Sequence, residues 1–494
     1  MGPQEGVADD PLILVSNRGP VEHTRNDGER TAKAGHGGLV TALAGLAGHI
    51  EDAVWVCVAL SDEDVAVARE HDGEAFEPEG DGPAVRVRLV ELDGDVQRKF
   101  YAVIANPLLW FIQHCLWDLG RSPDITRREI DAFENGYVPA NDRLADAVAE
   151  EVESRGGRAT VMVQDYHLYL VPGRVRDRCP DVILHHFVHI PWPHPDAWRV
   201  LPPGMREAVF NGVLGNDIVG FHARRYARNF LLGCDELLGL VVDMDRLTVE
   251  VGGRTVRARY YPISVDPDQL EATAGSPAVV EHERRLAVNR RDHLILRVDR
   301  ADPSKNILRG FRAFDILLDD HPDLAERVTF LALEQPSRED VSQYVDYLEE
   351  IRQLVADVNR KHGTDDWTPI ELSLKGDFDE VVAAYKSFDV LVVNAISDGM
   401  NLVAKEAALV NRSDGVLAIS ENAGAFEELG EFSVTLHPFD VQQQADAMFA
   451  ALTMDGQERR ERLAAAAATV RENDVAKWLR DQLHDIRELR EEGA

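Results

Sequence analysis

Apolar residues gather along this chain in short continuous blocks, separated by longer stretches in which they recur every three or four positions. In the first half the blocks are PLILVSN (11–17), AVWVCVAL (53–60), ATVMVQD (159–165), DVILHHFVHI (181–190) and NDIVGFH (216–222). Their length and β-branched content suit strands buried on both faces. Helical stretches such as GGLVTALAGLAGHI (37–50) lie between them. Strand and helix in alternation predict a mostly parallel sheet wrapped by helices.

The pattern then restarts. HLILRVDR (293–300), RVTFLAL (327–333), IELSL (370–374), FDVLVVN (388–394) and GVLAIS (415–420) read as a second set of strands. Prolines interrupt the pattern near YYPISVDPDQL (260–270), which marks a boundary. The predicted fold is α/β, with two Rossmann-like, doubly wound domains, residues 1–262 and 263–469, facing a cleft. Ligands are expected at the carboxyl ends of the strands. The tail ENDVAKWLRDQLHDIRELREEGA reads as a helix, and the apolar stripe of Trp478, Leu479 and Leu483 predicts that 470–494 packs back on the first domain.

Composition narrows the partners. A chain of 494 residues is long enough for two cores. Its formal net charge of -34, from 53 basic and 87 acidic residues, excludes a nucleic-acid or anionic-membrane partner, which needs a basic surface. Any phosphate site must be a local exception. Cys57, Cys115, Cys179 and Cys234 are scattered with no CxxC pair, so reduced and mostly buried thiols are expected. MGPQEGVADD is too acidic for a signal peptide, and no run of about eighteen apolar residues could span a bilayer. A soluble cytoplasmic protein is expected, with no cofactor and no metal; a homo-oligomer is compatible with the sequence.

Several segments exceed what a fold requires. In NAISDGMNLVAKE (394–406) a strand-to-helix turn carries Asp398 and Gly399, and Glu406 follows two helical turns later. In RVDRADPSKNILRGF (297–311) Asp302 reads as a helix N-cap, Pro303 as the first helical residue and Lys305 as the third. A cation there opposes the helix dipole by a few tenths to about 1 kcal/mol unless an anion binds. Arg300 at the strand end can converge with it on one phosphate group; the bland alternative is a solvated lysine and an arginine paired to a neighbour. In the first domain RGP (18–20) follows the first strand, and Gly37 and Gly38 open the next helix without the G-x-G-x-x-G spacing of a dinucleotide site. In an extended strand His185 and His189 share a face about 13 Å apart, too far to chelate one ion. A strand-end His189 that hydrogen-bonds a ligand is the stronger reading, beside Asp165 and His167 of VQDYHLYLVP. DMDRLT (243–248) reads as a pair of loop aspartates rather than a phosphatase nucleophile pair.

Together, VSNRGPV, GGL, FYAVIANPLLW, DYHL, FVHIPWP, VLGNDIVGFH, PISVDP, VDRADPSK, PSREDVSQY, DGMNLVAKE and SENAGA resemble the trehalose-6-phosphate synthase family of retaining glycosyltransferases, in family order from residue 15 to about 425. The resemblance implies the GT-B architecture and transfer of glucose from UDP-, GDP- or ADP-glucose to glucose 6-phosphate, giving α,α-trehalose 6-phosphate. By the same resemblance Arg300 and Lys305 neutralise the donor diphosphate, with Gly38 touching it from the other domain. Asp398 holds sugar hydroxyls, and the N–H groups of Met400, Asn401, Leu402 and Val403 meet sugar and diphosphate. Glu406 binds the ribose diol and Phe378 marks the place of the base. Arg18, Tyr101, Trp110 and Arg338 grip the acceptor phosphate, Asp165 contacts acceptor hydroxyls, and His189 contacts the donor sugar. The implied catalytic set is Arg300, Lys305, Asp165 and His189, with no protein nucleophile and no metal.

The chain departs from the family pattern at WVCV, where Val58 replaces tryptophan, and at SDGMN, where Ser397 replaces arginine. It also has QDYHL for HDYHL, and Asn306 where the family has glycine after the lysine. These leave the nucleobase and exact acceptor open. Alternatives are a pseudo-glycosyltransferase of aminocyclitol biosynthesis resembling validoxylamine phosphate synthase, a glucosylglycerol-phosphate synthase, and a catalytically silent sugar-phosphate sensor. The sensor predicts lost diphosphate cations, whereas Arg300 and Lys305 are present. No phosphatase domain is expected after residue 494.

Overall fold

The computed structural model of the chain describes residues 11–26, 29–34, 43, 52–78, 85–338 and 340–493. They form two compact units, one up to Tyr261 together with the residues from Leu479 onward, the other Pro262–Trp478. The strands of the first unit are β1 (Leu12–Ser16), β2 (Val21–Asn26), β3 (Glu29–Ala34), β4 (Ala53–Val58), β5 (Arg86–Val90), β6 (Thr160–Gln164), β7 (Ile183–Phe187), β8 (Ile218–Phe221), β9 (Val242–Asp243), β10 (Thr248–Val251) and β11 (Arg254–Tyr260). Those of the second are β12 (His293–Arg300), β13 (Val328–Gln335), β14 (Ile370–Ser373), β15 (Val390–Val393), β16 (Val416–Ser420) and β17 (Val434–Leu436).

The apolar blocks become the central strands because helices cover both faces of the sheet. Every residue of β1, β4 and β6 is buried. In register, Val15 lies between Val56 and Val163. The first sheet runs β5-β4-β1-β6-β7-β8-β11-β10-β9. It is parallel through β11, with β10 and β9 added as antiparallel edge strands. From β1 the chain fills one side of the sheet and returns at β6 to fill the other, so a switch point opens beyond Ser16 and Gln164.

The second sheet repeats this logic in the order β14-β13-β12-β15-β16-β17, parallel throughout. Its switch point lies between the carboxyl ends of β12 and β15. Phe330, near the start of β13, is fully buried and meets Phe311 and Phe314 edge-on at 5.3 and 5.2 Å. Each such ring stabilises the fold by roughly 1.5–3 kcal/mol.

The β2–β3 hairpin and strands β5, β9, β10, β11 and β17 were not among the predicted blocks. They carry many exposed polar positions, as in VEHTRN and ERTAKA, so a search for continuous apolar runs passes over them. The helix over 37–50 lies outside the described residues except for Leu43. The last helix spans Val475–Gly493 and buries Trp478, Gln482 and Ile486, which recur every fourth residue. Within the first unit Arg490 Nη2 donates to Thr160 Oγ1 of β6 at 2.6 Å, and the Tyr261 hydroxyl donates to Asp485 Oδ2 at 2.5 Å. All four cysteines are free thiols, Cys115 exposed and the others buried.

Candidate functional site

In the second unit β12 ends at Arg300 and the chain enters a short 3-10 turn, Pro303–Lys305. Asp302 caps that turn by accepting from Ser304 N at 2.9 Å. Asn306 then adopts the left-handed conformation, φ 60°, and the α-helix begins only at Ile307. The expected helix start at Pro303 is therefore corrected: Lys305 is not the third residue of an α-helix. Asparagine tolerates this backbone almost as glycine does, so the Asn306 departure preserves the turn. Its side chain also donates to the carbonyls of Asn394 and Pro438 at 2.9 and 2.6 Å.

Lys305 consequently faces a carboxylate rather than a helix dipole. Its Nζ donates to Asp398 Oδ2. Burial pulls its pKa down, but the charges of Asp398 and Asp299 outweigh that and hold it above the usual lysine value. Asn401 Nδ2 reaches the same Asp398 oxygen at 3.2 Å. Asn401 itself is left-handed, φ 87°, and caps the helix Leu402–Val410 by accepting from Ala404 N at 3.2 Å. Leu402 and Val403 thus occupy the first helical turn, where N–H groups lack intrahelical acceptors. Met400 O accepts from Ala425 N at 2.7 Å. A Cβ on Gly424 would fall 2.0 Å from Gly399 O, so the neighbouring loop presses on 399–400 with no room for a side chain.

Glu406 is held by the Tyr385 hydroxyl, which donates to Oε2 at 3.0 Å. Burial raises its pKa above the ordinary carboxylate value, with the hydrogen bond opposing. Phe378 is the first residue of the helix Phe378–Ser387 and its ring is exposed. Arg300 is exposed at the end of β12. Arg338 is turned onto the 302–305 turn: Nη1 donates to the buried Asp302 Oδ2 at 3.0 Å, and the Tyr344 hydroxyl reaches that oxygen at 3.1 Å. Its guanidinium lies 5.1 Å over the Tyr344 ring.

In the first unit Arg18 follows β1, with its side chain exposed and its carbonyl accepting from Ser16 Oγ at 2.5 Å. Val58 N donates to Asn17 O at 3.3 Å, which places the Val58 departure against the Arg18 loop. Asp165 follows β6 with φ 70°, and its Oδ1 accepts from His189 N at 3.3 Å. His189 lies just past β7 and pairs through Nε2 with Gln164 Oε1 at 3.0 Å. Burial, then the neighbouring His222, hold its pKa well below the usual range, so its imidazole is neutral at pH 7. Tyr101 stacks on His167 at 5.9 Å, and Trp110 meets Tyr166 at 5.5 Å. Both come from the segment Phe100–Gln113, whose helical path is broken at Asn106. There the Tyr166 hydroxyl donates to Asn106 Oδ1 at 2.7 Å.

The structure thus gathers Lys305, Asp398 and Asn401 at one switch point, with Arg338 joined to the same turn through Asp302. It groups Asp165, His189, Tyr101 and Trp110 about the 165–167 turn of the other sheet. Gly38 lies outside the described residues. Tyr385 and Gly424 escaped the sequence reading, because their roles depend on partners 21 and 25 residues away. Arg297 and Asn394 also escaped it, although an arginine inside the run HLILRVDR was a visible signal.

Residues 10–488 match the sequence profile of a family described as Glycosyltransferase family 20. A trehalose-6-phosphate synthase of Mycobacterium sp. (strain KMS) is 34% identical, covering 98% of this chain and 97% of the relative. A validamine 7-phosphate valienyltransferase of Streptomyces hygroscopicus subsp. jinggangensis is 31% identical over 96% of this chain and 94% of its own. Among solved structures, an α,α-trehalose-phosphate synthase (UDP-forming) from Burkholderia vietnamiensis superposes with a TM-score of 0.82 at 28% identity, covering 97% of both chains. Such an enzyme from Burkholderia xenovorans, in complex with glucose 6-phosphate, gives 0.80 at 26% identity, covering 96% of this chain and 100% of that one.

Proposed function

Since the chain belongs to glycosyltransferase family 20, we propose that it transfers glucose, with retention of configuration, from a nucleoside diphosphate glucose to glucose 6-phosphate, giving α,α-trehalose 6-phosphate. The observation that carries this reading is the charged pair Lys305–Asp398 at the switch point of the second sheet, flanked by the left-handed Asn401 cap. A diphosphate is met there by Lys305, Arg300 and the first N–H groups of the helix Leu402–Val410. Asp398 accepts from sugar hydroxyls, and Glu406, steadied by Tyr385, accepts from the ribose diol.

The C1–O bond to the diphosphate breaks and a C1–O bond to the acceptor hydroxyl forms on the same face. The acceptor proton passes to a diphosphate oxygen. Lys305 and Arg300 stabilise the charge that grows on the leaving group, a preorganised effect worth roughly 3–4 kcal/mol per donor. The neutral imidazole of His189 contacts the donor sugar, and Asp165, which accepts from the His189 main-chain N–H, contacts the acceptor. Arg18, Tyr101, Trp110 and Arg338 receive the acceptor phosphate.

Incubation with UDP-, GDP- or ADP-glucose and glucose 6-phosphate, with mass and NMR identification of the product, tests the reading; no disaccharide phosphate from any donor overturns it. The similarity to the valienyltransferase, with Val58 and Ser397 at site-flanking positions, supports a second reading, transfer of a cyclitol to an amino-cyclitol phosphate. That reading predicts product only with an unsaturated cyclitol nucleotide. No helix among the described residues is long and apolar enough to cross a membrane.

A further inference from the structure

The side chain of Arg297 is completely buried in the middle of β12. Its Nε lies 3.1 Å from Asp299 Oδ2 and 3.2 Å from Glu334 Oε1, within reach of both acids, whose pKa values burial raises. Its two remaining nitrogens go elsewhere. Nη1 donates to Asn394 Oδ1 at 2.7 Å, and Nη2 donates to the main-chain carbonyl of Lys305. Asn394 directly follows β15 and opens the loop that ends in Asp398. Its Nδ2 donates in turn to Asn306 O at 3.2 Å and Gln444 Oε1 at 2.8 Å.

One rigid, planar fork therefore touches both loops whose side chains form the Lys305–Asp398 pair. Charge balance does not explain the fork, since both of its outer bonds end on neutral oxygens. Packing does not explain it either, because an apolar residue fills a core at least as well as a buried ion pair. Gly310 adds an independent constraint. A Cβ there would meet Arg297 Nη1 at 2.6 Å and Asn394 Nδ2 at 3.3 Å. Glycine inside a helix is unfavourable by roughly 0.5–1 kcal/mol against alanine. Its presence in Ile307–Asp320 is accounted for by the room the fork occupies.

We propose that Arg297 is a positioning residue of the donor site: its buried guanidinium, bonded at once to the Lys305 carbonyl and the Asn394 side chain, sets the geometry in which Lys305 and Asp398 receive the nucleotide sugar. The inference rests on the reading that these two residues bind the donor. Arg297 touches no substrate and acts through the two loops. Misplacement of about 1 Å at such a site costs on the order of a hundredfold in rate.

The test compares the wild-type protein with Arg297→Lys, which keeps a charge and loses the fork, and with Gly310→Ala, which displaces the fork and removes no charge. Initial rates at varied donor and acceptor, UDP titration by calorimetry and thermal melting are measured on each. The expected result is a fall in kcat of at least about tenfold and weaker UDP binding, with acceptor KM within about twofold and Gly310→Ala still folded at the assay temperature. Wild-type kcat and UDP affinity in a folded Gly310→Ala variant overturn the inference. So does a loss of rate that merely tracks the unfolded fraction. Should Arg297→Lys fail to fold, Gly310→Ala alone decides. A wild-type protein that makes no disaccharide phosphate defeats the functional reading by itself, and UDP titration of the same variants still decides the role of Arg297.

Discussion

Lys305 and Asp398 stand 93 residues apart in the chain and meet as an ion pair at the carboxyl ends of β12 and β15. The pair sits where the strand order of the second sheet reverses, the place at which an open α/β sheet leaves a crevice. A bound diphosphate offers Lys305 a second anionic partner and leaves Asp398 oxygens for sugar hydroxyls. Removal of the lysine is therefore expected to act on the reaction more than on the fold. Lys305→Ala lowers kcat/KM by roughly 10²–10³, the loss of one preorganised donor. Steady-state kinetics beside a thermal melt checks this; activity within about threefold of wild type excludes a leaving-group role.

Arg338 and Asp302 make a different prediction, because Asp302 is buried and loses a charged donor once the arginine is gone. Arg338→Ala is expected to raise acceptor KM about tenfold or more and to destabilise the fold by about 1–3 kcal/mol. Acceptor titration and urea unfolding read the two effects separately. An unchanged acceptor KM removes Arg338 from the acceptor site.

Glu406 carries a pH signature. Burial raises its pKa in the folded chain above the unfolded value of 4.5. The stability this group contributes is therefore complete below that value and is lost as pH rises through the folded pKa. Glu406→Gln removes that loss, so the melting temperature of the variant relative to wild type should climb as pH rises above 4.5 and level off beyond the folded pKa. Donor KM should rise over the same range, because an amide accepts less from a diol. A melting difference that falls with pH contradicts the assignment.

Gly424 tests the loop behind the donor turn. The methyl group of an alanine at this position would collide with Gly399 O, backbone that cannot swing aside as a side chain can. Gly424→Ala is expected to cost roughly 1–3 kcal/mol of stability and to lower turnover by moving 398–400. Full activity at wild-type stability shows that the 398–400 segment is not held in this way.

The central strands were legible because their burial on both faces writes itself as apolar runs, and β1, β4, β6, β12, β15 and β16 all stand inside predicted blocks. The edge elements were not, since a half-exposed strand such as β2 or β10 needs only alternate apolar residues, and short alternation is indistinct from loop. The turn at 302–306 was misread for a related reason. Asp302 and Pro303 give the local signal of a helix start, and nothing in the neighbouring sequence announces that Asn306 turns left-handed to reach Asn394 and Pro438.

By itself the sequence determined the alternation of strands and helices, the repeat of that pattern in two halves, and the residue types at each strand end, because these follow from burial and local backbone preference. Which of those residues meet was decided only by tertiary structure. The reversal of strand order brings Lys305 to Asp398, and the close approach at Gly310 leaves a buried arginine fork to join their loops. Such contacts depend on separations of a few ångströms between segments far apart in the chain, and no spacing along one dimension encodes them.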